Sequence, residues 1–211
     1  MFGYPVSLEI SGPTAMWTRP DTGDAPVSYP APTFSAVKGI FESILWLKNA
    51  EVVPTKVELC APLVFHQYTT NYGGPLRKSK VKGGSFQLLA TVLINVCYRL
   101  YATVHEDRGG EAKIITRPLE RKTTNGAHAY FAIFNRRLER GTFHSMPCLG
   151  WREFSPDFVG PFREQTGVQT DINLTISSML RTCFPDGKGS TWRPIFDQNL
   201  YIEKGELVYA Q

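Results

Sequence analysis

The segment FQLLATVLINVCYRLYATVHE, Phe86–Glu106, is rich in β-branched and aromatic residues and predicts one long β-strand. Its most apolar part, LLATVLINV at residues 88–96, has only nine residues. A helix needs about 20 apolar residues to span a bilayer. We therefore expect a strand here and no membrane partner.

The sequence on both sides of this strand alternates strand and helix signals. In chain order we expect a strand over 4–10, a loop over 11–32, a helix over 34–48, a strand over 56–60 with an extended arm over 63–72, and a helix over 127–140. Thr33 or Ser35 is expected to cap the first helix, and Gly141 to end the second. The order β-α-β-β-α-β predicts an α+β fold with a ferredoxin-like (RRM-like) core over residues 1–143. Residues 144–211 hold short strand candidates, ending in LYIEKGELVYA, and predict a β-rich C-terminal extension.

Composition and motifs exclude several classes of protein. Of the 211 residues, 42% are apolar and 12% aromatic, which is too many for a disordered chain. The cysteines at 60, 97, 148 and 183 and the four histidines lack the short spacings of a zinc site or a disulfide framework. No phosphate-loop, dinucleotide or catalytic-serine motif is present, so we expect no metal and no cofactor. The start, MFGYPVSLEI, lacks a signal-peptide pattern, so we expect a reducing, cytoplasmic location.

The net charge of +4 is distributed unevenly along the chain. Residues 77–140 hold 13 Lys and Arg against 5 Asp and Glu, whereas the rest holds 10 basic and 14 acidic residues. The cationic segment GGPLRKSKVKGG, residues 73–84, is poor in large apolar side chains and predicts an exposed hairpin tip or loop. A region of this composition can bind a polyanion, but a charged surface that contacts only solvent has the same composition. Nucleic acid is the candidate ligand, because this fold often presents aromatic and basic residues on its sheet to RNA.

Two blocks of the sequence carry a family resemblance. Residues 11–46 contain G-x-x-A-x-W-T-x-P, S-Y-x-x-P-T-x-S-A-x-K-G-I and E-S-I-x-W, and residues 134–158 contain R-R-L-x-x-G and P-x-L-G-x-R-E-F. In order and spacing these resemble the type I-C branch of the fifth family of CRISPR-associated (Cas) proteins, within the RAMP superfamily. The spacing is one residue short near Phe143.

The resemblance implies a fold and a role. It implies a β-hairpin thumb inserted in the core, at about residues 64–100, and a subunit of the CRISPR effector complex (Cascade) in antiviral defence. Its expected partners are the 5′ handle of the CRISPR RNA (crRNA), the Cas backbone subunit of the seventh family and the large Cascade subunit, with target double-stranded DNA as a further one. The candidate RNA-binding residues are Lys38, Arg77, Lys78, Lys80, Lys82, Arg121, Lys122, Arg136, Arg137 and Arg140.

Members of this branch can also cut precursor crRNA without a metal. The resemblance implies a catalytic Tyr in the E-x-I-x-W element and a Lys, often followed by His, at the start of the second helix. The matched positions here are Leu45, Ala129 and Tyr130. A slip of one or two residues would bring His128 into the site, with Tyr130 supplying a hydroxyl and the cations at 121 and 122 stabilising the phosphorane.

Three functions therefore remain open from the sequence. The first is a non-catalytic subunit that binds and caps the 5′ handle. The second is a metal-independent endoribonuclease with a shifted active site. The third is a free-standing binder of double-stranded DNA, which the basic surface alone would allow.

Arg152 and Glu153 stand between two aromatic residues, Trp151 and Phe154. Partly buried charges need partners. We therefore expect both side chains to be partly buried and paired, near the junction of the core and the extension.

Overall fold

The computed structural model describes residues 3–72, 86–106, 125–185 and 191–209. Within these ranges the elements are β1 (Tyr4–Ala15), α1 (Phe34–Ile44), β2 (Ala50–Leu59), β3 (Phe65–Tyr72), β4 (Phe86–Glu106), α2 (Gly126–Arg140), β5 (Phe158–Gly160), β6 (Leu174–Thr182), β7 (Ile195–Glu203) and β8 (Glu206–Val208). Neither helix of these ranges is long and apolar enough to cross a membrane.

The long strand predicted from the sequence, β4, is confirmed and lies at the centre of the sheet. Its residues 93–104 pair with β1 along one edge, and its residues 98–106 pair with β2 along the other. Its first eight residues, 86–93, pair with β3 to form a hairpin. One strand therefore satisfies the backbone hydrogen bonds of three others.

All pairings between these strands are antiparallel, and they form one sheet in the order β5-β1-β4-β2-β8-β7-β6, with β3 added to β4. The two helices bury their apolar stripes against one face of this sheet, and the rings of Phe41 and Phe134 meet between them at 5.5 Å. The mixed α+β class predicted from the sequence is confirmed. The buried helix residues are Val37, Ile40, Phe41 and Ile44 of α1 and Gly126, Ala127, Tyr130, Phe134 and Leu138 of α2.

The predicted helix caps are present. The Thr33 hydroxyl accepts a hydrogen bond from the backbone of the first turn of α1, and Gly141 adopts a φ of +62° at the end of α2. The end expected near residue 48 for the first helix is wrong, because α1 ends at Ile44. Its terminal carbonyl accepts a hydrogen bond from Arg137 Nη1 at 2.8 Å, so a tertiary contact replaces a further helical turn.

Two other expectations are corrected. The loop expected from residue 11 begins later, since β1 continues to Ala15 and its pairing is interrupted only at Pro13, which has no N–H to donate. The stretch LYIEKGELVYA is not one strand. It forms the end of β7 and all of β8, joined by a turn at Lys204 and Gly205, which have φ values of +49° and +77°.

Residues 161–172, called the strap here, cross the sheet face opposite the helices. Within the strap, Arg163 Nε donates to Glu9 Oε1 at 2.5 Å, and the Thr166 hydroxyl donates to the same oxygen at 2.9 Å. Arg99 on β4 donates to the backbone carbonyls of both strap residues, at 3.0 and 2.6 Å. The Phe162 ring packs edge-on against Tyr101. The chain thus covers this part of its own sheet.

Glu9 is the buried charge on which this arrangement depends, with 0% of its side chain exposed. Burial alone raises the pKa of Glu9. The hydrogen bonds from Arg163 and Thr166, together with the charge of Arg163, outweigh burial and hold the pKa below its ordinary value. The ionised carboxylate is therefore the form that the fold stabilises.

Replacing Glu9 with Gln is expected to lower the free energy of unfolding at pH 7 by about 3 kcal/mol, because Arg163 and also Arg99, whose Nε lies 3.5 Å from Glu9 Oε2, lose their charged acceptor. The folded pKa lies below the unfolded value of about 4.3, so this stabilisation is present above that value and is lost as the pH falls through the folded pKa. Urea unfolding of the unchanged protein and of Glu9→Gln, at pH 7 and near pH 3, measures the difference in their free energies of unfolding. This difference should be smaller near pH 3.

The matched control is Glu203→Gln, since Glu203 is exposed and has no ion pair within the described ranges. This variant should unfold within about 0.5 kcal/mol of the unchanged protein. Two results would contradict the role given to Glu9. One is an equal decrease in the free energy of unfolding in both variants, and the other is a destabilisation by Glu9→Gln that does not change with pH.

Candidate nucleic-acid interface

Six of the ten predicted RNA-binding residues lie outside the described residues. The first four belong to the segment of 73–85 that joins β3 to β4, and the other two lie between β4 and α2. The described part of the β3–β4 hairpin ends at the pair of Tyr72 with Phe86. The six are Arg77, Lys78, Lys80, Lys82, Arg121 and Lys122.

The predicted cation on the first helix, Lys38, already has a partner. Its Nζ lies 3.2 Å from Glu51 Oε1 at the start of β2, and about a third of the Lys38 side chain is exposed. A surface ion pair of this kind is worth at most about 1 kcal/mol. A phosphate could therefore replace Glu51 at small cost, but Lys38 is not a free charge.

The three arginines at the end of α2 divide into two kinds. Arg137 is half-buried and donates to the Ile44 carbonyl, so it joins the ends of the two helices. The side chains of Arg136 and Arg140 are exposed and form no hydrogen bond or ion pair within the described part of the chain. Two positive charges thus face solvent at the C-terminal end of a helix, where the helix dipole favours them.

The candidate catalytic pair, His128 and Tyr130, is not brought together. His128 is exposed, and its ring meets the edge of Tyr4 at 5.5 Å. Tyr130 is buried, stacks on Phe134, and its hydroxyl donates to the Phe41 carbonyl at 3.4 Å. Burial raises the pKa of Tyr130 well above its ordinary value. A phenol in this position packs the core and is not exposed to solvent.

The motif-matched positions lie close to these residues but lack reactive groups. Leu45 is 3% exposed and follows the last residue of α1 in an extended conformation. Ala129, in the first turns of α2, is half-buried. The next residue along the motif, Trp46, is 53% exposed. An exposed indole beside the helix ends offers a stacking surface for an unpaired base, and the motif contained this signal without indicating its exposure.

The expectation that Arg152 and Glu153 are partly buried and paired is wrong. Both are exposed, and neither has a hydrogen bond or ion pair in the described residues. Phe154 takes the buried position, stacked on Trp151, and its carbonyl accepts from the Leu149 N–H at 2.8 Å. This tight turn directs the two intervening charges outward.

The same turn forms one wall of a groove of about 550 Å³ against α1. Gly150 makes the close approach possible, because it has a φ of +94° and a Cβ there would overlap the Met16 carbonyl. Arg152 supplies the positive charge of the groove, and Ser43 and Ser145 supply hydroxyls. The groove is lined by Trp17, Ala36, Gly39, Ile40, Ser43, Ser145, Met146, Pro147, Cys148, Gly150 and Arg152.

Within the described ranges, no group of three or more His, Cys, Asp and Glu side chains is placed to hold a metal ion.

Comparison with known proteins identifies the chain as a CRISPR-associated protein. The family model Cas_Cas5d, described as CRISPR-associated protein (Cas_Cas5), matches residues 6–202. The chain therefore belongs to the Cas5d family, and the resemblance found in its two sequence blocks is confirmed.

Two relatives are similar over most of the chain. A Thermus thermophilus protein named CRISPR pre-crRNA endoribonuclease Cas5d is 28% identical over 178 residues, which cover 83% of this chain and 71% of that protein. A Mannheimia succiniciproducens protein of the same name is 29% identical over 172 residues, which cover 73% of this chain and 71% of that protein.

Solved structures share the fold at low sequence identity. A crystal structure of a CRISPR-associated protein has a TM-score of 0.72 at 17% identity, covering 100% of this chain and 94% of that one. A functionally uncharacterized protein from Streptococcus mutans has a TM-score of 0.70 at 18% identity, covering 100% and 95%. A chain of a CRISPR RNA-guided surveillance complex has a TM-score of 0.51 at 14% identity, covering 97% and 91%.

Arg137 and Arg136 are adjacent in sequence but differ in role, which gives a matched test. Arg137→Ala is expected to lower the free energy of unfolding by about 1–2 kcal/mol, because the Ile44 carbonyl loses its charged donor. Arg136→Ala should leave stability within about 0.5 kcal/mol. Urea unfolding of both variants measures this, and equal destabilisation would show that Arg137 does not join the two helices as described.

Proposed function

We propose that this protein is a Cascade subunit that binds the 5′ handle of crRNA. The observation that carries the proposal is the family match over residues 6–202. The exposed Arg136 and Arg140 at the end of α2, and the cationic sequence between β3 and β4, support it physically. Lys and Arg side chains bind a phosphate chain by releasing its counterions.

The expected architecture is part of the proposal. Within residues 1–143, the order β1-β4-β2 with two helices on one face matches three strands of a ferredoxin-like core, and β5 of the extension adds to β1 in the position of the fourth strand. The β3–β4 hairpin is where the thumb is expected. We assign residues 1–143 to the core, with the thumb at 64–100, and residues 144–211 to the extension. The short pairings of β5 with β1 and β8 with β2 support a C-terminal extension built onto both sides of the core.

The proposed RNA path avoids the sheet face that ferredoxin-like RNA-binding domains often use. On β1 and β4 that face is covered by the strap, which is held by Glu9 and Arg99. The path runs instead along the β3–β4 hairpin and the end of α2, with Arg121, Lys122 and Lys38 as further phosphate contacts. Trp46 offers a stacking surface near the two helix ends.

The proposed partners follow from the same role. The fold is shared with a chain of a CRISPR RNA-guided surveillance complex, which supports assembly with crRNA, the backbone subunit of the seventh Cas family and the large subunit. A cytoplasmic location fits this role. Target double-stranded DNA is the weaker candidate ligand, supported only by the basic surface.

Processing of precursor crRNA is the second candidate function, favoured by the name of the two relatives. Attack by an RNA 2′-hydroxyl needs a group that removes its proton and a donor for the leaving oxygen. Leu45 and Ala129 supply neither, and the Tyr130 hydroxyl is buried on a backbone carbonyl. We therefore propose RNA binding without efficient cleavage, and keep His128 as the residue of a shifted site.

The cationic segment is tested by replacing Arg77, Lys78, Lys80 and Lys82 together with Glu. We expect markedly weaker binding of repeat RNA and a salt dependence of log K flatter by up to about 3, since each lost phosphate contact contributes about 0.7 for single strands. Binding titrations at several salt concentrations measure both.

The control compares two double charge reversals of equal size. Arg77→Glu with Lys78→Glu should reduce affinity and slope, whereas Arg193→Glu with Lys204→Glu, at exposed positions of the C-terminal part, should change both much less. If the quadruple variant keeps the slope of the unchanged protein, the segment is a solvated loop and does not bind the handle.

The isolated protein is expected to bind its cognate repeat RNA but to cleave it little or not at all. Each missing side-chain acid or base normally contributes 10²- to 10⁴-fold to the rate. Incubation with repeat RNA in EDTA, followed by analysis of product ends, measures the activity. Efficient cutting at one position, abolished by His128→Ala, would contradict this proposal and establish the shifted active site.

A further inference from the structure

Two cysteines face each other under the strap. Cys60 directly follows β2, and it continues the register in which Leu59 pairs with Tyr98, so it lies opposite Cys97. The Cys60 N–H donates to the Cys97 carbonyl at 2.8 Å. Hydrogen-bonded antiparallel pairs have Cα atoms about 5.5 Å apart, within the range that a disulfide bridges.

The surroundings of the two thiols are not equivalent. The Cys60 Sγ donates to the Glu58 carbonyl at 3.8 Å, and the neighbouring Cys97 thiol together with burial raises the pKa of Cys60. The Cys97 Sγ donates to Glu9 Oε1 at 3.9 Å, and Arg163 Nη2 lies 3.7 Å from the same sulfur. The neighbouring Cys60 thiol and the Arg163 guanidinium lower the pKa of Cys97, against the opposing effects of burial and the Glu9 charge.

This arrangement has the features of a reactive dithiol. A thiolate is the nucleophile in disulfide exchange, and a neighbouring guanidinium favours its formation. Both cysteines are only partly buried. Cys97 is thus suited to attack first, and Cys60 is placed to displace the group that Cys97 acquires.

We propose that Cys60 and Cys97 form a reversible disulfide by exchange with a low-molecular-weight disulfide such as glutathione disulfide. The Cys97 thiolate attacks one sulfur and releases a first glutathione thiolate, which takes up a proton. Cys60 then loses its proton to water and attacks the Cys97 sulfur, releasing the second glutathione. The protein loses two electrons and two protons, and one glutathione disulfide becomes two glutathione molecules.

The bond would close the chain at the base of the β3–β4 hairpin. It would link the end of β2 to the middle of β4, enclosing residues 61–96, which include all of β3 and the first part of β4. The proposal does not rest on RNA binding, because it concerns the chemistry of the free protein.

The test treats the folded, reduced protein with millimolar glutathione disulfide, blocks the remaining thiols by alkylation, and identifies the linked peptides by mass spectrometry. We expect a Cys60–Cys97 bond without bound glutathione, formed at least about tenfold faster than any modification of Cys148 or Cys183. Dithiothreitol should restore four thiols. In Cys60→Ser, a glutathione adduct should accumulate on Cys97.

The matched control is Cys148→Ser with Cys183→Ser, which should form the bond as fast as the unchanged protein. Urea unfolding of each reduced variant checks that the serine substitutions leave the fold intact. Three results would overturn the proposal: four thiols that remain unreacted, a glutathione adduct that persists on Cys97 while Cys60 is present, or linkage of either cysteine to Cys148 or Cys183.

Discussion

The pairing of β4 along both of its edges is the constraint on which the rest of the structure depends. A strand of 21 residues has a backbone donor or acceptor at nearly every position, and each buried one needs a partner. β1, β2 and β3 supply these partners in one antiparallel sheet. Once that sheet exists, its alternating side chains define one face for the helices and a second face for the strap.

The strap explains why the RNA surface of this protein is proposed away from the sheet. A ferredoxin-like domain with an open sheet can stack bases on its central strands. Here Tyr101 packs against Phe162, and Arg99 donates to strap carbonyls, so an aromatic and a basic residue of that face are used within the chain. Exposed positive charges lie instead at the end of α2, at Arg136 and Arg140, and on the 145–152 turn, at Arg152. The same covered face holds the Cys60–Cys97 pair.

The features predicted correctly from the sequence are those that depend on local signals. β4 follows from its β-branched and aromatic residues, the start of α1 from Thr33, and the end of α2 from Gly141. The family resemblance also came from contiguous motifs. The strap was not predicted, because its main contact joins Glu9 to Arg163 across 154 positions of sequence. No local pattern encodes a contact of that range.

In the candidate site, too, the features set by local sequence were predicted and those set by tertiary contacts were not. The motif indicated that the expected Tyr position is Leu45, but not that Tyr130 is buried against the Phe41 carbonyl. Adjacent arginines with the same sequence environment proved different, since Arg137 bonds to Ile44 and Arg136 faces solvent. The Arg152 side chain was expected to be partly buried, but it is exposed, because Phe154 takes the buried position of that turn. Burial of each residue is decided by tertiary packing that composition does not contain.

We propose that this Cas5d-family chain binds RNA on the cationic segment that joins β3 to β4 and on the end of α2, and not on the strap-covered sheet face. Ultraviolet crosslinking of the protein to repeat RNA, followed by mass spectrometry of the linked peptides, tests it directly. We expect crosslinked peptides from residues 73–85 and 136–140, with Trp46 as a further site, and none from the strap. Crosslinks concentrated on Tyr101, Phe162 and the strap would contradict the claim and place the RNA on the sheet.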